Sequence, residues 1–196
     1  MPRQPDPDLE DRVLKAAHAL WRRGGDKALT LRAVAKAAGT NTPAVYRRFK
    51  DRRDLVRGLL LRTVGQFRLM FEAGTSIEEM IDVYVDQALH NPHEYELFYT
   101  HGHLLNPRKG RGRAQPIRKS RPNFGLLEDR LAMQLGGEPQ DHTRLALALW
   151  SVAHGTVALL GSKVIPEGHE AEFRRASRAA VKALLDGAAK FRDEKL

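Results

Sequence analysis

Apolar side chains recur at helical spacing along almost the whole chain. The periodicity of three to four residues predicts nine helices, and no run alternates with period two for long enough to form a strand. The sequence therefore indicates an all-α protein. The predicted helices cover about residues 9–23, 31–38, 43–49, 51–71, 76–89, 93–105, 123–135, 141–163 and 169–191.

Polar and glycine residues mark where these helices begin and end. A side-chain oxygen at the N-cap accepts a free backbone N–H, and glycine tolerates the positive φ that often follows a helix. We expect Ser76 and Glu79 to form a capping box, and Pro43 favours Thr42 over Asn41 as the cap of the third helix. The other predicted caps are Asp8, Thr30, Asp51 and Asp141, and the predicted glycine stops are Gly24-Gly25, Gly39 and Gly136-Gly137.

Charge is distributed very unevenly along the 196 residues, whose formal net charge is +9. Residues 1–57 hold 14 Lys/Arg and 7 Asp/Glu, whereas residues 58–105 hold only 2 Lys/Arg and 7 Asp/Glu. Residues 106–123 hold 7 basic side chains and none that is acidic, and the remainder is neutral. Basic blocks attract polyanions because neutralising phosphates releases counterions, although a solvated surface has the same composition.

Several functional classes lack their sequence signatures. The chain has no cysteine, which excludes disulfides and thiolate sites. It shows no phosphate-binding glycine loop, HExxH or G-x-S-x-G motif, and His101 and His103 lack the i,i+4 spacing that a helical metal pair prefers. We expect no enzyme activity, no metal and no cofactor. We also expect no signal peptide and no membrane association, because the first residues lack an apolar core and no run of 18 apolar residues occurs.

Two short predicted helices joined at Gly39 follow the helix-turn-helix plan, in which the second helix enters the major groove of DNA. Hydroxyl and amide groups at its start, and the tyrosine and basic side chains that follow, suit contacts with phosphates and base edges. Any small helical bundle offers a similar pair of helices. The candidate polar residues are Thr40, Asn41, Thr42, Tyr46, Arg47 and Lys50.

The segment TLRAVAKAAGTNTPAVYRRFKDRRDLVRGLL resembles the helix-turn-helix of TetR-type transcriptional regulators over roughly residues 9–60. The matching positions are Ala35, Ala38, Gly39, Tyr46, Phe49 and Leu55. This resemblance implies contacts with the DNA backbone from Thr30 and Arg32, and contacts from the turn and the recognition helix at Thr40, Asn41, Thr42, Ala44, Tyr46 and Arg47. Arg52 stands where the family often has a phosphate-binding lysine.

Two departures from the family pattern concern the DNA sequence that is read. Thr40-Asn41 replaces the common Val-Ser, and Lys50-Asp51 replaces a common Pro-Ser. Asn41 can still cap the helix, so the geometry is expected to survive while the preferred bases change.

The C-terminal part is predicted to hold the dimer interface. LALALWSVAHGTVALLG at 145–161 is apolar nearly all round, which requires burial on most sides. The last two helices of two copies would form a four-helix interface. Trp150, His154 and Gly155 resemble the Trp-His-Gly pattern of one C-terminal subgroup of the family, and a core histidine is the alternative interpretation of His154.

The resemblance also implies an unknown small-molecule ligand, bound in an apolar pocket with a few polar groups. The same residues are typical of an ordinary core. The candidates are Phe67, Met70, Tyr84, Phe98, Tyr99, His101, Phe124, Trp150 and His154.

The sequence thus predicts a flexible arm at 1–7, a DNA-binding domain at 8–57 and a regulatory, dimerising domain at 58–196. Within the last domain, the basic loop 106–122 is predicted to be a solvated loop, a lid or a second polyanion contact. We expect a cytoplasmic homodimeric regulator, more often a repressor in such families, that binds a pseudopalindromic double-stranded DNA operator. An architectural protein that coats DNA is the alternative.

Overall fold

The protein is helical throughout the residues that the computed structural model describes, namely 6–71, 76–105, 116–162 and 164–191, with the side chains of residues 70 and 71 excluded. No strand occurs in these ranges, which confirms the all-α prediction. These ranges contain ten α-helices, which are α1 Leu9–Ala28, α2 Leu31–Ala37, α3 Thr42–Arg48, α4 Arg52–Phe71, α5 Ile77–His90, α6 Pro92–His101, α7 Ile117–Ser120, α8 Pro122–Leu135, α9 Thr143–Gly161 and α10 Glu170–Asp186. Short 3-10 turns cover Gly102–Leu105, Pro139–His142 and Ala188–Phe191.

Helix α7 is the one of these ten helices that the sequence did not predict. It lies within the stretch predicted as the basic loop 106–122. Residues 106–115 of that stretch, like residues 1–5 of the predicted arm, lie outside the described residues. From residue 117 onward the loop prediction is wrong, because Arg118 bonds Asp129 at 2.7 Å and pairs with the buried Glu128 at 3.4 Å. The carboxylates of Glu128 and Asp129 on α8 thereby hold this helical turn in place.

Most of the predicted helix starts are present with their capping bonds. The Ala33 N–H donates to Thr30 at 3.1 Å, and the Ala44 N–H donates to Asn41 at 2.9 Å, so Asn41 rather than Thr42 caps α3. The capping box at the start of α5 is confirmed in both directions. The Glu79 N–H donates to the Ser76 hydroxyl at 3.1 Å, and the Ser76 N–H donates to the Glu79 carboxylate at 2.9 Å.

Besides Thr42, two predicted caps are wrong. Asp8 stands at the N-cap of α1 but its side chain makes no capping bond. Asp141 accepts the Glu138 N–H at 2.9 Å and so closes the 3-10 turn at Pro139–His142, while α9 begins at Thr143. Only at α9 does a preceding turn take the expected cap position, whereas Asp8 keeps that position without the bond.

One compact unit comprises the described residues of 1–66 and 91–110. The sequence predicted a boundary at 57/58, but α6 belongs to the same unit as α1 to α3, and it packs along α1. The Trp21 indole is 1% exposed and donates to the His93 carbonyl at 2.5 Å. Glu94 of α6 pairs with His18 at 2.6 Å. Helix α6 is therefore fastened to α1 by apolar burial and by buried polar bonds.

The other compact unit comprises the described residues of 67–90 and 111–196. Helix α9 packs against α5, α8 and α10, and Leu145, Leu149, Ala153 and Val157 are among its buried side chains. Burial of these apolar groups supplies the main driving force for this unit.

The segment Pro139–Gly161 is long and apolar enough, by length and composition, to cross a membrane, although only 33% of it is buried within one copy. A core helix of a helical bundle satisfies the same criterion. The exposed positions of α9 include the small or apolar residues Gly155, Ala158 and Leu159.

Candidate nucleic-acid interface

The turn between α2 and α3 sets the angle at which α3 leaves the domain. Gly39 has φ +64°, a conformation that side-chain-bearing residues rarely adopt. The Thr40 N–H returns to the Ala35 carbonyl at 2.9 Å, which closes the end of α2. The two helices are thus joined rigidly, as a helix-turn-helix requires.

One face of the helix pair is fixed in the core of its unit. Val34 and Val45 are fully buried, and Ala35, Ala44 and Phe49 are nearly so. Because this face cannot turn outward, the opposite face of α3 is the surface available to a partner.

Tyr46 and Arg47 lie on that opposite face and are exposed, with Tyr46 at 52%. Their side chains, like that of the exposed Arg32 on α2, make no hydrogen bond or ion pair to any residue in the described part of the chain. Arg48, next in α3, instead donates to the Asp6 carbonyl at 3.0 Å. This outward face of α3, with the exposed Tyr46 and Arg47, is called the recognition face below; the described chain does not use the hydrogen-bonding groups of these two side chains.

The remaining predicted DNA contacts are placed less uniformly. Thr40 and Thr42 are half-buried, whereas Lys50 is exposed. Thr30 and Asn41 are exposed, but their side-chain oxygens are already used as caps. These two side chains position the backbone at the helix starts, where free N–H groups suit phosphate oxygens.

Ala44 is a correction to the predicted set. Its side chain is 4% exposed and belongs to the core, and its N–H is occupied by the Asn41 cap. The position maps onto the family's interface, but here it faces inward.

Arg52 points back into its own unit. Its Nε donates to the Leu29 carbonyl at 3.0 Å, and a terminal nitrogen lies 3.1 Å from the Asp26 carbonyl and 2.9 Å from the Asp26 carboxylate. The same carboxylate contacts His101 at 2.9 Å. Sequence reasoning missed Asp26, because the partners stand 26 and 75 residues away and share no local motif.

Five of the predicted ligand residues form a continuous chain of ring contacts in the second unit. Phe67 meets Tyr84 with ring centroids 6.5 Å apart, Tyr84 meets His154 at 5.4 Å, and His154 meets Trp150 at 4.8 Å. Phe124 continues the chain from Trp150 at 5.7 Å. We call these five residues the aromatic chain.

The polar centre of the aromatic chain is an uncharged pair. The Tyr84 hydroxyl lies 3.1 Å from His154 Nδ1. Burial lowers the pKa of His154 to about 4, so the imidazole is neutral at pH 7. A neutral imidazole offers one donor and one acceptor among apolar rings, which is the composition of a small-molecule site.

Because the pKa of His154 is lowered, we expect the folded protein to lose stability in acid. The unfolded chain binds the proton near the ordinary histidine pKa of about 6.5, whereas the folded chain binds it only near 4. Stability from His154 is therefore complete above about pH 6.5 and decreases as the pH falls towards 4. The expected decrease is about 1–2 kcal/mol, once the solvent reaching this half-buried ring is allowed for.

The measurement is urea denaturation at pH 7 and pH 4.5 for the wild type and His154→Gln, which does not titrate. His169→Gln, at an exposed position, is the control. The wild type and the control should lose more stability than His154→Gln, and equal losses in all three proteins would refute the assignment.

The other predicted ligand residues are not part of the aromatic chain. Phe98, Tyr99 and His101 belong to the first unit, where Phe98 packs on the core and Tyr99 is 60% exposed. The side chain of Met70 lies outside the described residues. The described residues include no group of three metal-ligating side chains.

A separate cavity of about 250 Å³ lies between α5, α9 and α10. Its lining includes the apolar Ile81, Val85 and Val181 and the hydroxyls of Thr156 and Ser177, which bond each other at 2.7 Å. None of the predicted ligand residues lines this cavity.

Two protein-family models match the chain. Residues 13–59 match the bacterial regulatory proteins of the tetR family, and residues 77–184 match the tetracyclin repressor-like C-terminal domain. No curated protein sequence matches. The Trp-His-Gly subgroup stays a prediction.

Solved structures share the fold at low identity. A TetR-family transcriptional regulator from Streptomyces coelicolor aligns with a TM-score of 0.62 and 22% identity, covering 92% of this chain and 99% of that one. A transcriptional regulator described as putative, from Pseudomonas aeruginosa PAO1, aligns with a TM-score of 0.61 and 16% identity, covering 96% of this chain and 97% of that one. The multidrug binding protein EbrR, complexed with imidazole, aligns with a TM-score of 0.59 and 20% identity, covering 94% of this chain and 93% of that one.

Proposed function

The chain belongs to the TetR family of bacterial regulatory proteins, whose members are DNA-binding regulators rather than enzymes, and from that premise we propose that it is a repressor released from its operator by a small molecule. The observation that carries this proposal is the recognition face. Tyr46 and Arg47 are exposed and lack partners in the described chain, while the opposite face of α3 is locked in the core. A DNA-bound regulator of this kind acts in the cytoplasm.

The proposed DNA contacts divide into two roles. Tyr46, Arg47 and Lys50 read base edges and phosphates from α3 and the residue beyond its C-cap, and Arg32 binds the phosphate backbone from α2. Thr30, Thr40, Asn41 and Thr42 place the helix starts and their free N–H groups against phosphates.

The proposed dimer forms through α9 and α10. The outward face of α9 between Ser151 and Ser162 has no charged side chain, and Leu159 is 39% exposed there. Helix α10 adds the exposed Ala176, Ala179 and Ala183. Two such pairs of helices from two copies would cover these small and apolar surfaces.

Gly155 offers a direct test of this interface. A Cβ at this position would meet nothing within 4 Å in the single chain, so a larger side chain fits the isolated fold. In a close helix–helix contact it would not fit. We predict that Gly155→Arg is folded but monomeric in analytical ultracentrifugation, with operator affinity reduced at least tenfold.

The control for Gly155→Arg is Met133→Arg, which places the same charge on α8 at a position that is 78% exposed. This control should stay dimeric. A dimeric Gly155→Arg with wild-type operator affinity would exclude this face as the interface.

We place the inducer at the aromatic chain. Its rings and the neutral Tyr84–His154 pair favour an apolar or aromatic molecule with at most a few hydrogen-bonding groups. Binding there would favour a dimer state whose recognition helices no longer match the spacing of the half-sites, which releases the operator.

Competition binding distinguishes specific regulation from DNA coating. The protein is titrated onto its operator at several salt concentrations in the presence of excess random DNA. Specific binding should exceed random binding by a factor on the order of 1,000 or more. A ratio near one at every salt concentration would replace the proposed function with an architectural one.

A further inference from the structure

Asp26 occupies a junction of three helices in the first unit. It follows the kink of α1 at Gly24 and Gly25, and its side chain is about half exposed. Its carboxylate lies 2.9 Å from Arg52, the first residue of α4, and 2.9 Å from Nε2 of His101, the last residue of α6. One acidic group thus joins the ends of α1, α4 and α6.

The Arg52 guanidinium is directed at the short connection between α1 and α2. It donates to the main-chain carbonyls of Asp26 and Leu29 as well as to the Asp26 carboxylate. Leu29 is fully buried and directly precedes Thr30, the cap of α2. Arg52 therefore fixes where α2 begins relative to α4.

His101 connects this arrangement to α6. Its side chain is 18% exposed, and its ring makes a T-shaped contact with Trp21 at a centroid distance of 5.7 Å. Hydrogen bonds from Arg52, and then from His101, hold the pKa of Asp26 below its ordinary value, so the carboxylate is charged when it accepts both bonds.

We propose that Asp26 is a positioning residue for DNA recognition, which holds Arg52 against Leu29 so that α2 and α3 are correctly placed. By sharing its carboxylate with His101, Asp26 also makes this placement depend on the position of α6. The inference rests on the proposed DNA-binding function. It assigns Arg52 an internal role in place of the phosphate contact implied by the family resemblance.

The two roles of Arg52 differ in their salt dependence. Loss of a phosphate contact lowers the slope of log K against log salt by about 0.9, whereas loss of a positioning bond leaves the slope unchanged. We expect Arg52→Ala to weaken operator binding about tenfold without a change of slope, the size of effect typical of a lost charge-assisted bond. Arg52→Lys should not restore binding, because an ammonium lacks the planar fork.

Asp26→Asn gives the sharpest contrast. If Asp26 positions Arg52, the variant should weaken operator binding as much as Arg52→Ala does, and the double variant should be no worse than either single one. If Arg52 binds phosphate, removing the neighbouring negative charge should strengthen binding instead. Asp8→Asn removes the same charge elsewhere in the unit and is the control, and His101→Leu should cause a partial loss.

Amide hydrogen exchange gives a readout that does not depend on DNA. Exchange in the first turn of α2 should accelerate in Asp26→Asn and Arg52→Ala and stay at the wild-type rate in Asp8→Asn. Unchanged exchange, additive losses or stronger DNA binding in Asp26→Asn would overturn the inference while the proposed function stands. A wild-type protein that shows no preference for any operator would defeat the proposed function itself.

Discussion

Replacement of Tyr46 and Arg47 by alanine is expected to abolish specific operator binding while the fold and the dimer remain intact. Each side chain is exposed on α3, and neither bonds another described residue, so their removal costs the folded protein little. A base-reading arginine contributes about 1–3 kcal/mol, and the double replacement should therefore weaken specific binding by about 100-fold or more.

The measurement is a footprint and a binding titration on the operator, with circular dichroism and sedimentation to verify folding. Tyr99→Ala is the control, because it removes another exposed tyrosine of the same unit that does not lie on α3. Wild-type footprints from the double variant would show that α3 is not the recognition helix.

Trp21→Ala should destabilise the first unit by about 3–5 kcal/mol, the cost of deleting a buried indole from a well-packed core. The ring is 1% exposed, and its loss also leaves the His93 carbonyl without its 2.5 Å donor. Since whole domains are stable by only about 5–15 kcal/mol, we expect partial unfolding at 37 °C and loss of operator binding.

Urea denaturation at 25 °C measures this effect, and Trp21→Phe separates its two components. The phenylalanine refills much of the space but leaves the His93 carbonyl unpaired, so an intermediate loss of about 1–3 kcal/mol is expected. A loss below 1 kcal/mol in Trp21→Ala would contradict the view that α1 and α6 are held together through this side chain.

Features determined by neighbouring residues were predictable from the sequence. The Thr30 cap, the Ser76–Glu79 capping box and the stop at Gly39 depend on residues within a few positions of each other, and all three are present. The helix-turn-helix was predictable because its pattern is local as well.

Features determined by distant partners were not predictable. Helix α7 depends on Arg118 pairing with carboxylates on α8, so the local richness in Gly, Pro and Arg suggested a loop. Nothing near Ala44 in the sequence showed that its methyl group faces the core.

The ligand candidates illustrate the same limit. Aromatic residues at helical spacing look alike in the sequence, whether they face one site or another. The structure brings Phe67, Tyr84 and His154 together with two further rings, whereas Tyr99 and His101 belong to the other unit. Only tertiary packing separates these groups.

The proposed regulator reads two related half-sites with two copies of α3, and selection of binding sites from a random DNA pool examines this symmetry. After several rounds with the purified protein at physiological salt, one inverted repeat should be enriched. Its half-sites should lie about one helical turn or a multiple of it apart, and protein carrying the Tyr46 and Arg47 replacements should fail to enrich it. A pool that stays random, or an enriched single site without symmetry, would show that the protein does not read paired half-sites.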